Sequence, residues 1–210
     1  MSRSKSSGRW LQRHVSDAFV KRAQKEGYRS RAAFKLEELD QADRLLRAGM
    51  TVVDLGAAPG GWAQYAARRL AGRGRIVALD ILPMEPIPGV EFILGDFTES
   101  AVLDSLKAHL TGAPVDLVIS DLAPNISGVA ASDQAKTIYL AELALEFAAE
   151  TLKPGGNLLL KAFQGEGYSE LHRMMKSRFD KLLTRKPKAS RAESREIYLL
   201  AKGFRGQPGA

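Results

Sequence analysis

Val52-Val53-Asp54-Leu55-Gly56-Ala57-Ala58-Pro59-Gly60-Gly61-Trp62 decides the fold of this chain. A short β-branched run ends in an acid, a turn of small residues follows, and a helical stretch runs on to Leu70. Strand, glycine-rich turn and helix in so short a span make a ligand-binding arrangement. Glycine permits positive φ and close backbone approach, and a helix N-terminus adds unpaired N–H groups.

Outward from this segment, strands and helices alternate. Arg75–Asp80, Val90–Leu94, Val115–Ser120 and Asn157–Phe163 read as further strands. Glu99–Leu110, Asp133–Leu152 and Tyr168–Phe179 read as helices, the second stopped by Lys153-Pro154-Gly155-Gly156. Upstream, residues 15–25 suit a first basic helix, and Ser30 suits the N-cap of a helix running to Leu46 and ended by Gly49. Two last strands, near Lys181–Lys186 and Ile197–Lys202, have no helix between them and should pair antiparallel. Continuous apolar strands are buried on both faces, and alternation with helices implies βαβ units. The expectation is one doubly wound α/β domain. Its mostly parallel seven-stranded sheet has helices on both faces and an antiparallel last strand.

The 210 residues suffice for one substantial core. No apolar stretch is long enough to span a bilayer, and polar, basic Met1–Trp10 has no apolar core of a signal peptide. Without cysteine there is no disulfide, thiolate nucleophile or thiolate metal site. His14, His109 and His172 lack the spacing of a zinc site, so no metal is expected. A cytoplasmic monomer is the default reading.

The net charge of +7 is unevenly placed. Residues 1–35 carry ten Lys/Arg against two Asp/Glu, giving +8; residues 173–195 carry nine against two, giving +7. The body between them, 36–172, carries ten against nineteen, giving −9. Two basic flanks on an acidic body suggest a polyanion-binding surface. Trp10, Phe19, Tyr28 and Phe34, interleaved with the N-terminal bases, suit stacking on unpaired bases. The expected organisation is a partly flexible, RNA-contacting extension over 1–28, the main domain over 29–205 and a flexible tail over 206–210.

Open α/β sheets bind ligands beyond the carboxyl ends of their strands. The residues there are Asp54 with its turn, Asp80, Asp96, Asp121 and Lys161. A dinucleotide enzyme needs Gly-x-Gly-x-x-Gly to wrap a pyrophosphate, whereas this turn carries Ala58-Pro59, and proline removes an N–H. Acidic strand ends repel phosphate and suit a cationic ligand with ribose hydroxyls. S-adenosylmethionine is such a ligand. Asp80 stands about twenty residues beyond the glycines, where an acid commonly receives a ribose.

Lys161 interrupts the apolar run Leu158–Phe163, and a lysine there is seldom fully buried unless paired. Asp121, Lys35 and Glu196 are its candidate partners. With these residues in view, the chain resembles the FtsJ/RrmJ-type ribosomal RNA methyltransferases, the RlmE family of ribose 2′-O-methyltransferases. The resemblance runs from Trp10 to Phe204. It is carried by Ser30-Arg31-Ala32-Ala33-Phe34-Lys35-Leu36, Asp54–Trp62, Ser120-Asp121-Leu122-Ala123-Pro124-Asn125, Lys161-Ala162-Phe163 and Glu196-Ile197-Tyr198.

The resemblance implies a Rossmann-like methyltransferase domain and a tetrad of Lys35, Asp121, Lys161 and Glu196, with Glu193 the competing carboxylate nearby. It also implies cofactor contacts from Gly60, Trp62, Asp80, Asp96 and Asp121, and a uridine of large-subunit (23S) RNA as target, on the assembled or assembling subunit. Lys161 would accept the proton of the attacking hydroxyl, or orient it. A free lysine titrates near ~10.4, so the first role needs a pKa lowered toward about 7. Lys35 and desolvation push that way, Asp121 and Glu196 the other. An NAD-type oxidoreductase and a catalytically silent RNA-binding or ribosome-assembly factor are the competing readings. The missing Gly-x-Gly-x-x-Gly opposes the first, and the four tetrad residue types oppose the second.

Overall fold

The computed structural model describes residues 17–125, 127–191 and 194–206. The expected tail over 1–9, Trp10, His14, the first residues of the expected helix over 15–25, Glu193 and residues 207–210 lie outside the described residues.

Two helices, α1 (Ala18–Glu26) and α2 (Ala32–Asp43), precede β1 (Thr51–Leu55), α3 (Gly61–Leu70), β2 (Arg75–Asp80) and β3 (Glu91–Leu94). Then come α4 (Ser100–His109), β4 (Val115–Ser120), α5 (Ala130–Thr151), β5 (Leu152–Phe163) and α6 (Tyr168–Arg178), and last β6 (Phe179–Arg185) and β7 (Glu196–Phe204). The seven strands form one sheet in the order β3-β2-β1-β4-β5-β7-β6. The pairs from β3 to β5 are parallel, and β7 runs antiparallel to both β5 and β6. The seven strands, the helices on both faces and the antiparallel last strand are as expected.

Alternation along each strand sorts the side chains onto two faces. Val53, Leu55, Val118, Leu158, Leu160 and Leu199 join Leu106 of α4, Leu145 of α5 and Leu171 of α6 in one core. Val52, Leu117, Ile119, Leu159, Tyr198 and Leu200 join Leu36 and Leu39 of α2 and Trp62 and Tyr65 of α3 in the other. Asp54, Asp121, Lys161 and Glu196 share the parity of the second set, and so belong to the α2/α3 face.

Local expectations fail in four places. Ser30 is not an N-cap: α2 begins after Arg31 with no side-chain cap, and Ser30 Oγ is buried without a hydrogen-bond partner. Nor does α2 reach Leu46 or end at Gly49. Arg44 turns left-handed at φ 54°, and the Asp40 carboxylate accepts the Leu46 N–H at 2.8 Å, pulling Leu45 and Leu46 off the helix and into the core. α5 does stop before Lys153–Gly156, at Thr151, but β5 starts at Leu152 rather than Asn157 and takes that stretch in, with its register against β4 shifting between Val115 and Leu117. Phe34 is no stacking platform either. It is fully buried, with Tyr28 edge-on at 5.5 Å and Phe19 tilted at 5.9 Å.

Asp40 ties α2 to α3. Its carboxylate also accepts the Tyr65 hydroxyl and Arg69 Nε, each at 2.9 Å, while the residue is 2% exposed. Burial, then Asp40, push the Tyr65 phenol above its usual range, so it stays a donor. Removing the acceptor strands three donors. Asp40→Ala should therefore lose about 2–4 kcal/mol of stability, read from urea unfolding, whereas Tyr65→Phe should lose only about 1 kcal/mol. Equal losses would show that Asp40 acts by packing alone.

Candidate active site

Parallel strands β1 to β5 end at one edge of the sheet, and β7, running the other way, starts there: Glu196 pairs with Phe163, and Tyr198 with Lys161. Reversal of the last strand thus brings its first residues to the carboxyl edge. Lys161 is 9% exposed. Its Nζ lies 3.1 Å from Asp121 Oδ1 and donates to the Asp121 carbonyl at 2.7 Å. Lys35, one turn into α2, lies 2.8 Å from Glu196 Oε1. Glu196 is therefore the carboxylate that meets Lys35.

Tyr198 joins the two ion pairs. Its hydroxyl donates to Asp121 Oδ1 at 3.0 Å and accepts from Lys35 Nζ at 3.1 Å. Burial, then the carboxylates of Asp121 and Glu196, push the phenol well above its usual value. It therefore stays protonated and keeps both roles. The result is one chain of contacts, Lys161–Asp121–Tyr198–Lys35–Glu196. Tyr198 was not among the residues expected from the sequence. Its signal was parity, because it stands two residues after Glu196 on the same strand face.

Beside this chain lies a cavity of about 600 Å³ whose walls include Asp80, Asp96 and Asp121. Asp80 is fixed by the backbone N–H groups of Ala58 and Leu82, both at 2.8 Å. Asp96 is held through one oxygen by Thr98, whose N–H and hydroxyl lie at 2.8 and 2.7 Å. The remaining walls are mostly apolar, with Ile81, Leu82 and Tyr139 all more than half exposed, and Thr98, Asn125 and one base, Lys136, complete them. These apolar walls were also missed; two large apolar residues directly after a strand-ending acid were the available sign. Gly56 lines the cavity with φ 78°, and a Cβ there would meet Leu122 N at 2.9 Å.

Gly60 and Trp62 are not on this wall. A Cβ on Gly60 would meet Ile87 and Met84, and the next glycine, Gly61, lies against Ser30. The Trp62 indole is 2% exposed, donates to the Ala32 carbonyl at 2.9 Å and lies 5.7 Å from the Tyr198 ring. Trp62 can offer a ligand its backbone N–H at the start of α3, whereas the Gly60 N–H is spent on the Ala57 carbonyl at 2.6 Å. Carboxylates set in apolar walls, with no phosphate-wrapping turn, fit a cationic cofactor carrying a ribose and an aromatic base.

Asp54 lies beneath the site, fully buried. Neither carboxyl oxygen has a hydrogen-bond partner among the described residues. Burial, then Asp121 and Asp80, push its pKa well above the usual carboxylate range, with the Ala63 N–H opposing. In the unfolded chain Asp54 ionises near ~3.9, and in the folded chain only at higher pH. It therefore withdraws stability as the pH rises from that value through its folded pKa. Asp54→Asn should raise the stability of the free protein near neutral pH by about 1–3 kcal/mol, with the gain vanishing in acid. Thermal unfolding across pH checks this; an unchanged midpoint at neutral pH would mean that Asp54 is ionised and compensated.

Comparison with known proteins follows this geometry. A family model described as FtsJ-like methyltransferase matches residues 28–204. The chain is 60% identical over 200 residues to the ribosomal RNA large subunit methyltransferase E of Methylobacillus flagellatus, covering 95% of this chain and 97% of that protein. Against its Pseudomonas aeruginosa counterpart it is 57% identical over 207 residues, 99% and 100% of the two chains. A crystal structure of a Plasmodium falciparum ribosomal RNA methyltransferase superposes with a TM-score of 0.78 at 33% identity, covering 86% of this chain and all of that one.

Proposed function

The chain belongs to the FtsJ-like methyltransferase family, and from that premise we propose that it methylates the ribose 2′-hydroxyl of a uridine in large-subunit ribosomal RNA, with S-adenosylmethionine as cofactor. The carrying observation is the buried chain of contacts Lys161–Asp121–Tyr198–Lys35–Glu196 beside an acid-lined cavity. The cofactor supplies a sulfonium methyl. Asp80 and Asp96 would hold its ribose and base end, Asp121 would face its positive charge, and N–H groups of Gly61 and Trp62 at the start of α3 would meet its carboxylate; Gly60, also expected to take part, has its own N–H on the Ala57 carbonyl at 2.6 Å.

Lys161 commits two donors to Asp121, which leaves one position at Nζ. As an ammonium it uses that position to orient the hydroxyl oxygen; as a neutral amine it offers a lone pair and takes the proton. Either way, in-line displacement is mostly a matter of positioning, and the Asp121–Tyr198–Lys35 links fix where Nζ stands. Among the bases with no side-chain hydrogen bond or ion pair to a described residue, Lys21 and Lys25 of α1, and Lys188, Arg191 and Arg195 just before Glu196, supply RNA contacts. Assembled or assembling subunits are the substrate, met by a monomer in the cytoplasm. The similar large-subunit RNA methyltransferases support this reading, and no described helix is long and apolar enough to cross a membrane.

Labelled S-adenosylmethionine incubated with large subunits, and separately with naked RNA, should place label on one ribose of the particle. No incorporation into any RNA would sink the proposal. Lys161→Met should lower transfer at least ~100-fold while leaving cofactor binding nearly intact. Tyr198→Phe should slow transfer about tenfold, the equivalent of ~1.4 kcal/mol, without changing cofactor affinity. A proton-accepting Lys161 makes the rate rise with unit slope through neutral pH; an orienting one leaves it flat.

A further inference from the structure

The amino-terminal edge of the sheet, opposite the active site, carries a second cleft, of about 580 Å³. Four of its wall residues are basic: Arg44 and Arg47 beyond α2, Lys153 in β5 and Lys202 in β7. Its one carboxylate among the described residues is already spent. Asp116 pairs with Lys153 through Oδ1 and accepts the Thr51 N–H through Oδ2 at 2.7 Å. Lys202 donates to the Asp43 carbonyl at 3.0 Å, while the Asp43 carboxylate is held by Arg185. The Asn157 amide oxygen is taken by the Gly203 N–H at 3.1 Å. What the cleft still offers is donors: the Asn157 amino group and, above all, the guanidinium groups of Arg44 and Arg47. Both arginines are exposed, and neither side chain has a partner among the described residues.

The backbone at Arg44 explains its place on this wall. Arg44 sits at φ 54°, ψ 56°, closing α2 with its N–H on the Asp40 carbonyl at 2.7 Å, as Ala71 closes α3 at φ 49°. Such a left-handed cap is a common helix stop; here glycine, which adopts it freely, is replaced by an arginine whose side chain has no partner among the described residues.

We infer that this cleft binds RNA phosphates, as a second contact for the substrate whose ribose enters at Lys161. The inference rests on the RNA methyltransferase reading above. A donor-only cleft selects anions, and two unpaired guanidinium groups on its wall match phosphate oxygens. The two sites are close enough for one substrate. From Lys35 at the catalytic edge to Arg44 is nine residues of α2, or about 13 Å at ~1.5 Å per residue, and a strand of a few nucleotides covers that distance. The cleft holds register on the substrate without reading its sequence, as phosphate contacts do.

The test uses the full chain carrying Arg44→Gly, which also relieves the backbone, together with Arg47→Ala. Binding to large subunits is measured over a range of salt, and transfer kinetics on the same particles. Loss of two phosphate contacts should lower the slope of log affinity against log salt by roughly 1.4–1.8, about a twenty- to sixtyfold loss of affinity near ~0.1 M salt. The rate at saturating substrate and the affinity for S-adenosylmethionine should stay unchanged. If the wild type binds and methylates but the variant shows the same slope and affinity, the cleft is not an RNA contact, whatever else it binds. A parallel titration with inorganic phosphate separates a small-anion site: phosphate binding lost in the variant with RNA affinity intact overturns the inference. If the wild type neither binds nor methylates RNA, the methyltransferase reading itself fails and takes the inference with it.

Discussion

A lysine cannot be left alone inside a sheet, and the carboxyl edge of this protein is arranged around that constraint. Lys161 is almost wholly buried in the otherwise apolar run Leu158–Phe163 of β5, where an unpaired ammonium would be expensive. Asp121, just past the neighbouring strand, answers it twice, through its carboxylate and its carbonyl. That places a carboxylate against Tyr198, whose hydroxyl reaches Lys35, whose charge in turn needs Glu196. Each group exists where it does because the one before it needs a partner. Buried ion pairs seldom add much net stability; their value here is that a reactive amine is held at one position on two rigid strands and a helix.

The same edge concentrates acids, at a cost. Burial, then the nearby Asp121 and Asp80, raise the pKa of the deepest acid, Asp54, and the Ala63 N–H only partly opposes them. A cationic ligand would relieve such repulsion and a phosphate would aggravate it, which supports the proposed S-adenosylmethionine over a dinucleotide. The glycines divide their work. Gly56 lets the cavity wall close against Leu122, whereas Gly60 and Gly61 make room for neighbouring protein rather than for a ligand.

Positive charge is handled differently at the two edges. Near the active site many bases are spent on structure. Arg29, for example, gives its guanidinium to the carbonyls of Glu85 and Pro86 at 2.5 and 2.8 Å, and Arg22 lies 4.1 Å over the Phe34 ring. Counting Lys and Arg in the N-terminal block therefore overstates the charge available to RNA, and its aromatics are partly consumed by one another. Among the described residues, unpaired bases include those in the loop before β7, on α1 and in the cleft at the amino edge.

The sequence by itself determined the order of strands and helices, the parallel sheet with its reversed last strand, and which residues stand just past each strand. These follow from local periodicity and turn chemistry, which a few adjacent residues specify. That Asp121, Lys161 and Glu196 share a face needed the register between β4, β5 and β7, which the sequence does not give. Only the tertiary structure decided which polar groups are satisfied. The Lys35–Tyr198 link spans 163 residues, and the short β6–β7 connection matters because β7 inserts beside β5. The burial of Phe34 and Trp62, the early end of α2 at Arg44 and the two unpaired arginines there have the same origin. A hydrogen bond or a buried ring is a property of two surfaces meeting, and no local stretch of sequence encodes the other surface.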